Sequence, residues 1–211
     1  MDFEKARYFM VEQQIRPWLV SDAKVLERFM QVKRESFVAP LYRQLAFADV
    51  QLPISNGVTM LEPKLEGRLL QAAQINPEDR MLIVGAGSGY LMALAAGLCH
   101  HVYGVEIDAQ VFDIAAKNLA ANKVRNTTLR HGDGLQGLPE SAPFDVIILT
   151  GSLSAVPEVL KEQLAEDGRM IVTVGAEPAM HVMSERTEGG TVLFEYVLPR
   201  LVCAESEAFS F

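Results

Sequence analysis

The sequence predicts an α/β fold: a doubly wound, mostly parallel sheet with helices on both faces. Three observations carry this. Apolar runs without polar alternation, such as Met81-Leu82-Ile83-Val84 and Val146-Ile147-Ile148-Leu149, suit strands covered on both sides. These runs alternate with helical stretches at a spacing that calls for right-handed crossovers. The first run also leads straight into Gly85, Gly87 and Gly89, a tight turn that opens a helix at Tyr90.

In chain order, Phe3, Ala6, Met10 and Val11 form a helical stripe that Pro17 closes. Ser21 is expected to cap a second helix, with Val25, Leu26, Phe29 and Met30 facing inward. Residues 34–47 continue as an irregular, mostly helical segment. The stretch from Asp49 to Lys64 holds prolines and Gly57, and is expected to be an apolar loop burying Leu52, Ile54, Val58, Met60 and Leu61. Pro63 suits the first turn of the helix that runs to Ala73. Asn76-Pro77-Glu78-Asp79 turns the chain into the central strand.

Beyond the glycine turn, His101 to Val105 reads as the next strand, with Glu106 at its carboxyl end. Asp108 caps a helix whose stripe is Val111, Ile114, Ala115 and Leu119. Thr127-Thr128-Leu129 and Phe144 to Leu149 are further strands. Val156-Pro157 opens a helix expected to turn Val159, Leu160 and Leu164 inward, and Glu166-Asp167-Gly168 leads to a strand from Met170 to Val174. The pattern then changes: Met180 to Arg186 and Thr191 to Leu198 read as a β-hairpin across Thr187-Glu188-Gly189-Gly190. The expected organisation is one domain, 1–211. It divides into a helical leader and substrate loop (1–75), a cofactor-binding core (76–175) and C-terminal strands (176–211).

Composition narrows the function. The chain has 211 residues, 49% of them apolar, enough for one sizeable core. A net charge of -8 with no Lys/Arg run argues against nucleic acid or an anionic membrane as partner. No apolar run approaches a membrane span, and the N-terminus lacks an apolar signal core. Two cysteines, Cys99 and Cys203, fit a reducing compartment, so a cytoplasmic location is expected. No metal is expected: His100-His101 point to opposite faces of a strand and lack a third ligand at suitable spacing. Trp18 is expected to anchor the leader by packing. Oligomeric state is not legible.

The glycine turn is a nucleotide cradle, with free backbone N–H groups at the helix start. A dinucleotide site wants G-x-G-x-x-G, and Tyr90 stands where its last glycine would be. Glu106 can accept hydrogen bonds from both hydroxyls of a ribose. Asp133, between Gly132 and Gly134, can reach an adenine amino group. In this order the three features resemble the class I S-adenosylmethionine-dependent methyltransferases. The resemblance implies a Rossmann-like methyltransferase fold, with S-adenosyl-L-homocysteine as product. It implies that Gly85, Ala86, Gly87, Ser88, Gly89, Glu106, Ile107, Asp133, Gly134 and Thr59 hold the cofactor.

A narrower resemblance follows from Met10-Val11-Glu12-Gln13-Gln14-Ile15-Arg16, Arg34-Glu35-Ser36-Phe37-Val38, Leu52-Pro53-Ile54, Val84 to Tyr90, Gly132-Asp133-Gly134 and Pro143-Phe144-Asp145. Their order resembles the protein-L-isoaspartate O-methyltransferases, over about Phe9 to Gly175. That family transfers a methyl group to the α-carboxylate of isoaspartyl residues in damaged protein, so a protein or peptide substrate is implied. The family's substrate loop has a glycine, one residue, Thr-Ile-Ser and a proline two residues later. Here Gly57, Thr59 and Pro63 are kept, and Leu61 stands at the serine, the family's catalytic position. Ile83 stands where the family usually has a Glu. Leu61 offers neither donor nor acceptor. Weak isoaspartyl transfer or a changed acceptor is therefore the expectation, and no residue is assigned to catalysis. The competing reading is a non-catalytic fold-mate that binds the cofactor or a partner.

Overall fold

The computed structural model describes residues 2–203, so Met1 and the last part of the expected 176–211 segment lie outside the described residues. The leader begins with α1 (Phe3–Met10), capped by Asp2 at the N–H of Lys5, 3.1 Å away. A wide π turn (Val11–Ile15) and a tight 3-10 turn (Arg16–Trp18) then end it around Pro17, as expected. α2 (Ala23–Gln31) is capped by Asp22, not Ser21. The Asp22 carboxylate accepts from the N–H groups of Lys24 and Val25, whereas the Ser21 N–H donates to the side chain of Gln71.

The stretch before Pro63 corrects a second expectation. It is a small antiparallel hairpin, β1 (Leu52–Ser55) and β2 (Val58–Met60), rather than a loop. Asn56 and Gly57 turn it, with φ of 50° and 79°, the left-handed backbone that a two-residue hairpin turn demands. α3 (Pro63–Ala72) follows, with Pro63 buried in its first turn.

The central sheet, among the described residues, has seven strands. They are β3 (Arg80–Val84), β4 (His101–Glu106), β5 (Thr127–His131), β6 (Phe144–Leu153), β7 (Leu164–Ala176), β8 (Ala179–Arg186) and β9 (Gly189–Glu195), in the order β5-β4-β3-β6-β7-β8-β9. The first five named pair in parallel; β8 and β9 form the expected antiparallel hairpin. Helices α4 (Tyr90–Ala95), α5 (Ala109–Ala121) and the single turn α6 (Glu158–Lys161) make the crossovers. Chain direction across the sheet reverses at β3, and ligands of such sheets bind at the strand carboxyl ends there.

Period-two alternation splits the core. Met81 and Ile83 of β3 pack with the leader, α3 and α4, while Leu82 and Val84 pack with Phe144, Ile147 and Leu160 on the other face. Both sets are essentially unexposed, which is why the strand reads as one continuous apolar run. Three details differ from expectation. Val159 is 45% exposed, because a single turn can bury only Leu160. Leu164 belongs to β7, and Glu166-Asp167-Gly168 lies within that strand as an irregularity in its pairing with β6. β6 itself runs past Leu149 to Leu153.

Candidate active site

A cleft of about 450 Å³ opens at the carboxyl ends of β3 and β4, a volume suited to a nucleoside-sized ligand. Its floor is the glycine turn. Gly85, Gly87 and Gly89 all have left-handed φ, at 83°, 56° and 82°. At Gly85 a Cβ would also fall 2.3 Å from Thr150 Oγ1, so neither the angle nor the space admits a side chain. The Gly85 and Ala86 N–H groups donate to the Val105 carbonyl and fix the turn to β4.

Glu106 sits beside this turn, 4% exposed. Its Oε2 accepts from the Gly87 N–H at 2.9 Å and its Oε1 from the Asp108 N–H at 3.1 Å. Burial raises its pKa above the ordinary carboxylate value, and the backbone donors oppose that rise. Each oxygen keeps a lone pair for a hydroxyl, which fits a vicinal diol such as a ribose.

Of the residues expected to hold the cofactor, Gly85, Ala86, Gly87, Ser88, Glu106, Ile107, Gly134 and Thr59 line the cleft. Gly89 stands behind it as the left-handed residue preceding α4. Asp133 adjoins the Gly134 wall and turns one carboxylate oxygen to the Leu135 N–H at 3.0 Å. Asp108 caps α5 at the Val111 N–H, as expected, and its other oxygen accepts from Asn56. That contact clips the tip of the β1–β2 hairpin over the cleft.

The opposite wall contains residues that sequence reasoning did not assign to the site. Glu66 lines it from α3 although it is 2% exposed, paired with the buried Arg34. Burial lifts Glu66 from the ordinary 4.5 to about 7, with Arg34 pulling the other way. Arg34 also donates to the Leu61 carbonyl at 2.7 Å and stacks over the Tyr90 ring. The Leu61 backbone is thereby pinned where the residue lines the cleft, with its side chain packed in part against the core. A signal for Glu66 existed: it shares the buried face of α3 with Leu70, four residues on. No comparable signal marks Pro199 to Val202, which cross the cleft as a strap.

Other candidates fall away from the site. Cys99 is buried, its thiol donates to the Ala95 carbonyl, and burial pushes its pKa up to about 12. It is not bonded to Cys203. Trp18 packs edge-on to Tyr196 under the Lys64 ammonium. Among the described residues no acid, His and Cys group is arranged to hold a metal ion, and no helix is long and apolar enough to cross a membrane.

A sheet of this order, with a glycine turn after β3 and a buried acid at the end of β4, fits the class of S-adenosylmethionine-dependent methyltransferases. The comparisons with known proteins narrow this. The family model for protein-L-isoaspartate(D-aspartate) O-methyltransferase matches residues 5–201, and the chain belongs to that family. It is 37% identical over 195 residues to a protein-L-isoaspartate O-methyltransferase of Roseiflexus sp. strain RS-1, covering 92% of this chain and 89% of the relative. A relative of the same name from Gloeobacter violaceus is 39% identical over 185 residues, covering 87% and 90%. The fold matches a Plasmodium falciparum crystal structure described as a protein-L-isoaspartate O-methyltransferase in complex with S-adenosyl-L-homocysteine. That match has a TM-score of 0.82 at 22% identity, over 96% of this chain and 99% of the other.

Proposed function

We propose that the protein transfers a methyl group from S-adenosylmethionine to the α-carboxylate of an isoaspartyl residue in a protein or peptide, more slowly than a member with serine at position 61. The observation that carries this is one cleft with two unlike walls: the glycine turn with Glu106 on one side, and the Thr59–Leu61 stretch on the other. Bound S-adenosylmethionine supplies an electrophilic methyl on a sulfonium. Glu106 receives its ribose hydroxyls, the Gly85–Gly87 backbone admits its close approach, and Asp133 with Gly134 faces the adenine.

The acceptor carboxylate is already ionised at neutral pH, so the chain needs no general base. One carboxylate oxygen forms the O–CH3 bond as the C–S bond breaks, and the electron pair stays on sulfur. What the protein must supply is alignment, which carries much of the rate in a two-substrate transfer. Leu61 contributes no hydrogen bond to it, and this is the reason for the slow rate. A cytoplasmic setting fits the buried thiol of Cys99.

Two measurements test the reading. Calorimetry should show S-adenosylhomocysteine binding, and a methyl-transfer assay should show slow labelling of an isoaspartyl peptide but not of its aspartyl counterpart. Binding without labelling would point to another acceptor. Absence of binding at millimolar ligand would overturn the cofactor site itself.

A further inference from the structure

The acceptor's carboxylate needs a donor that Leu61 does not provide, and the cleft contains few to spare. The Asn56 amide is committed to Asp108, the Thr59 hydroxyl to Gln51, and the Thr150 hydroxyl to the carbonyls of Val84 and Gly85. Ser88 is 4% exposed, and its oxygen faces the Tyr90 N–H. Charge is equally one-sided. Glu106 and Asp108 line the cleft beside a Glu66 already matched by Arg34, a setting that favours a sulfonium cation and opposes an anionic acceptor.

Against these acids stands one cation among the described lining residues, Arg200. It is exposed, and its guanidinium makes no ion pair or side-chain hydrogen bond with a described residue. Its backbone, by contrast, is held firmly. The Ser152 N–H donates to the Pro199 carbonyl at 2.8 Å, the Leu201 N–H returns to the Ser152 carbonyl at 2.9 Å, and the Ser152 hydroxyl donates to the Leu198 carbonyl at 2.9 Å. Ser152 is 1% exposed, so this latch is dry. The strap also lies against the glycine turn: a Cβ on Gly85 would sit 3.1 Å from Leu201 Cδ1.

We propose that Arg200 binds the carboxylate of the methyl acceptor, replacing with a charge the hydroxyl that Leu61 removes. The inference rests on the carboxylate-directed reading above. A guanidinium presents a planar fork of donors that matches a carboxylate in two parallel hydrogen bonds, and it neutralises the anion as it enters an acidic cleft. The latch fixes where the side chain starts, so that only its own torsions must be ordered on binding. Arg200 is thereby a specificity residue: it selects an anionic acceptor and takes no part in the bond exchange.

The cofactor has a carboxylate of its own, and the test must separate the two. Arg200→Gln should raise KM for an isoaspartyl peptide at least about tenfold, as expected for loss of a charge-assisted pair, with kcat changed far less. Its affinity for S-adenosylhomocysteine should stay within about twofold by calorimetry. Arg200→Lys should fall between, keeping the charge without the fork. Ser152→Ala should raise KM in the same direction by a smaller factor, through the loosened strap. A loss of S-adenosylhomocysteine affinity with unchanged peptide KM would overturn the proposal and assign Arg200 to the cofactor's carboxylate. Unchanged values for both would overturn it outright. Should the unaltered enzyme label no peptide, calorimetry of peptide into the S-adenosylhomocysteine complex decides. Arg200-dependent binding upholds the inference while the transfer reading fails, and no binding overturns both.

Discussion

The two ends of the cleft are built by different means. The cofactor end is almost entirely backbone: three left-handed glycines, N–H groups from Gly87 and Asp108, and one carboxylate, Glu106, that receives both. The acceptor end is made of side chains and borrowed segments: the hairpin tip clipped by Asp108, the Leu61 carbonyl held by Arg34, and the strap latched on Ser152. Backbone sites are hard to alter one residue at a time, because their geometry belongs to the fold. Side-chain sites change with single substitutions, and a leucine at position 61 offers no hydrogen bond. A single exchange at the second end can therefore alter acceptor chemistry while leaving the first end intact.

The strongest test of this contrast removes the buried carboxylate of the proposed cofactor end. Glu106→Ala leaves two backbone donors without their acceptor and removes the proposed ribose contacts, each a charge-assisted bond of roughly 1.5–3 kcal/mol. S-adenosylhomocysteine affinity should fall about a hundredfold or more by calorimetry. A drop below threefold would mean that the backbone alone holds the ligand.

A smaller effect is expected at the acceptor end, in stability rather than affinity. Glu66 has its pKa raised to about 7 in the folded chain, against 4.5 ordinarily. A carboxyl shifted upward stabilises the fold fully below its ordinary value, and that contribution is lost as pH rises through about 7. Glu66→Gln does not titrate, so its stability relative to the unaltered protein should climb between pH 5 and 8, by up to roughly 3 kcal/mol. Thermal unfolding at several pH values reads this directly. Parallel curves for the two proteins would sink the assignment.

The smallest change concerns rate. Leu61→Ser should raise transfer to an isoaspartyl peptide about tenfold, the equivalent of a single regained hydrogen bond of roughly 1.5 kcal/mol, with cofactor affinity unchanged. Arg34 grips the Leu61 carbonyl rather than its side chain, so the backbone should tolerate the exchange. No gain would show that the acceptor end has diverged beyond this position.

The same contrast explains what the sequence revealed. The glycine turn, Glu106 and the Asp108 cap were legible because each follows from neighbours within a strand, turn or helix start. The β1–β2 hairpin reads as a loop in the sequence although Asn56-Gly57 is a strong turn signal, because Pro53 and Pro63 obscure the short strands around it. Asp22 rather than Ser21 caps α2, and the Gln71 side chain, about fifty residues on, fixes this corner by accepting from the N–H groups of both. The strap was invisible for the same reason. Ser152 and Leu198 are 46 residues apart, and no periodicity or composition links them.

That distance has a consequence in time. A chain synthesised from its N-terminus has completed the glycine turn, Glu106 and the β6 end long before Leu198 to Val202 exist. The floor of the cleft is thus synthesised while its roof is still missing. The strap can latch on Ser152 only once its own residues have been made, so the order of synthesis sets the cradle before the segment that crosses it.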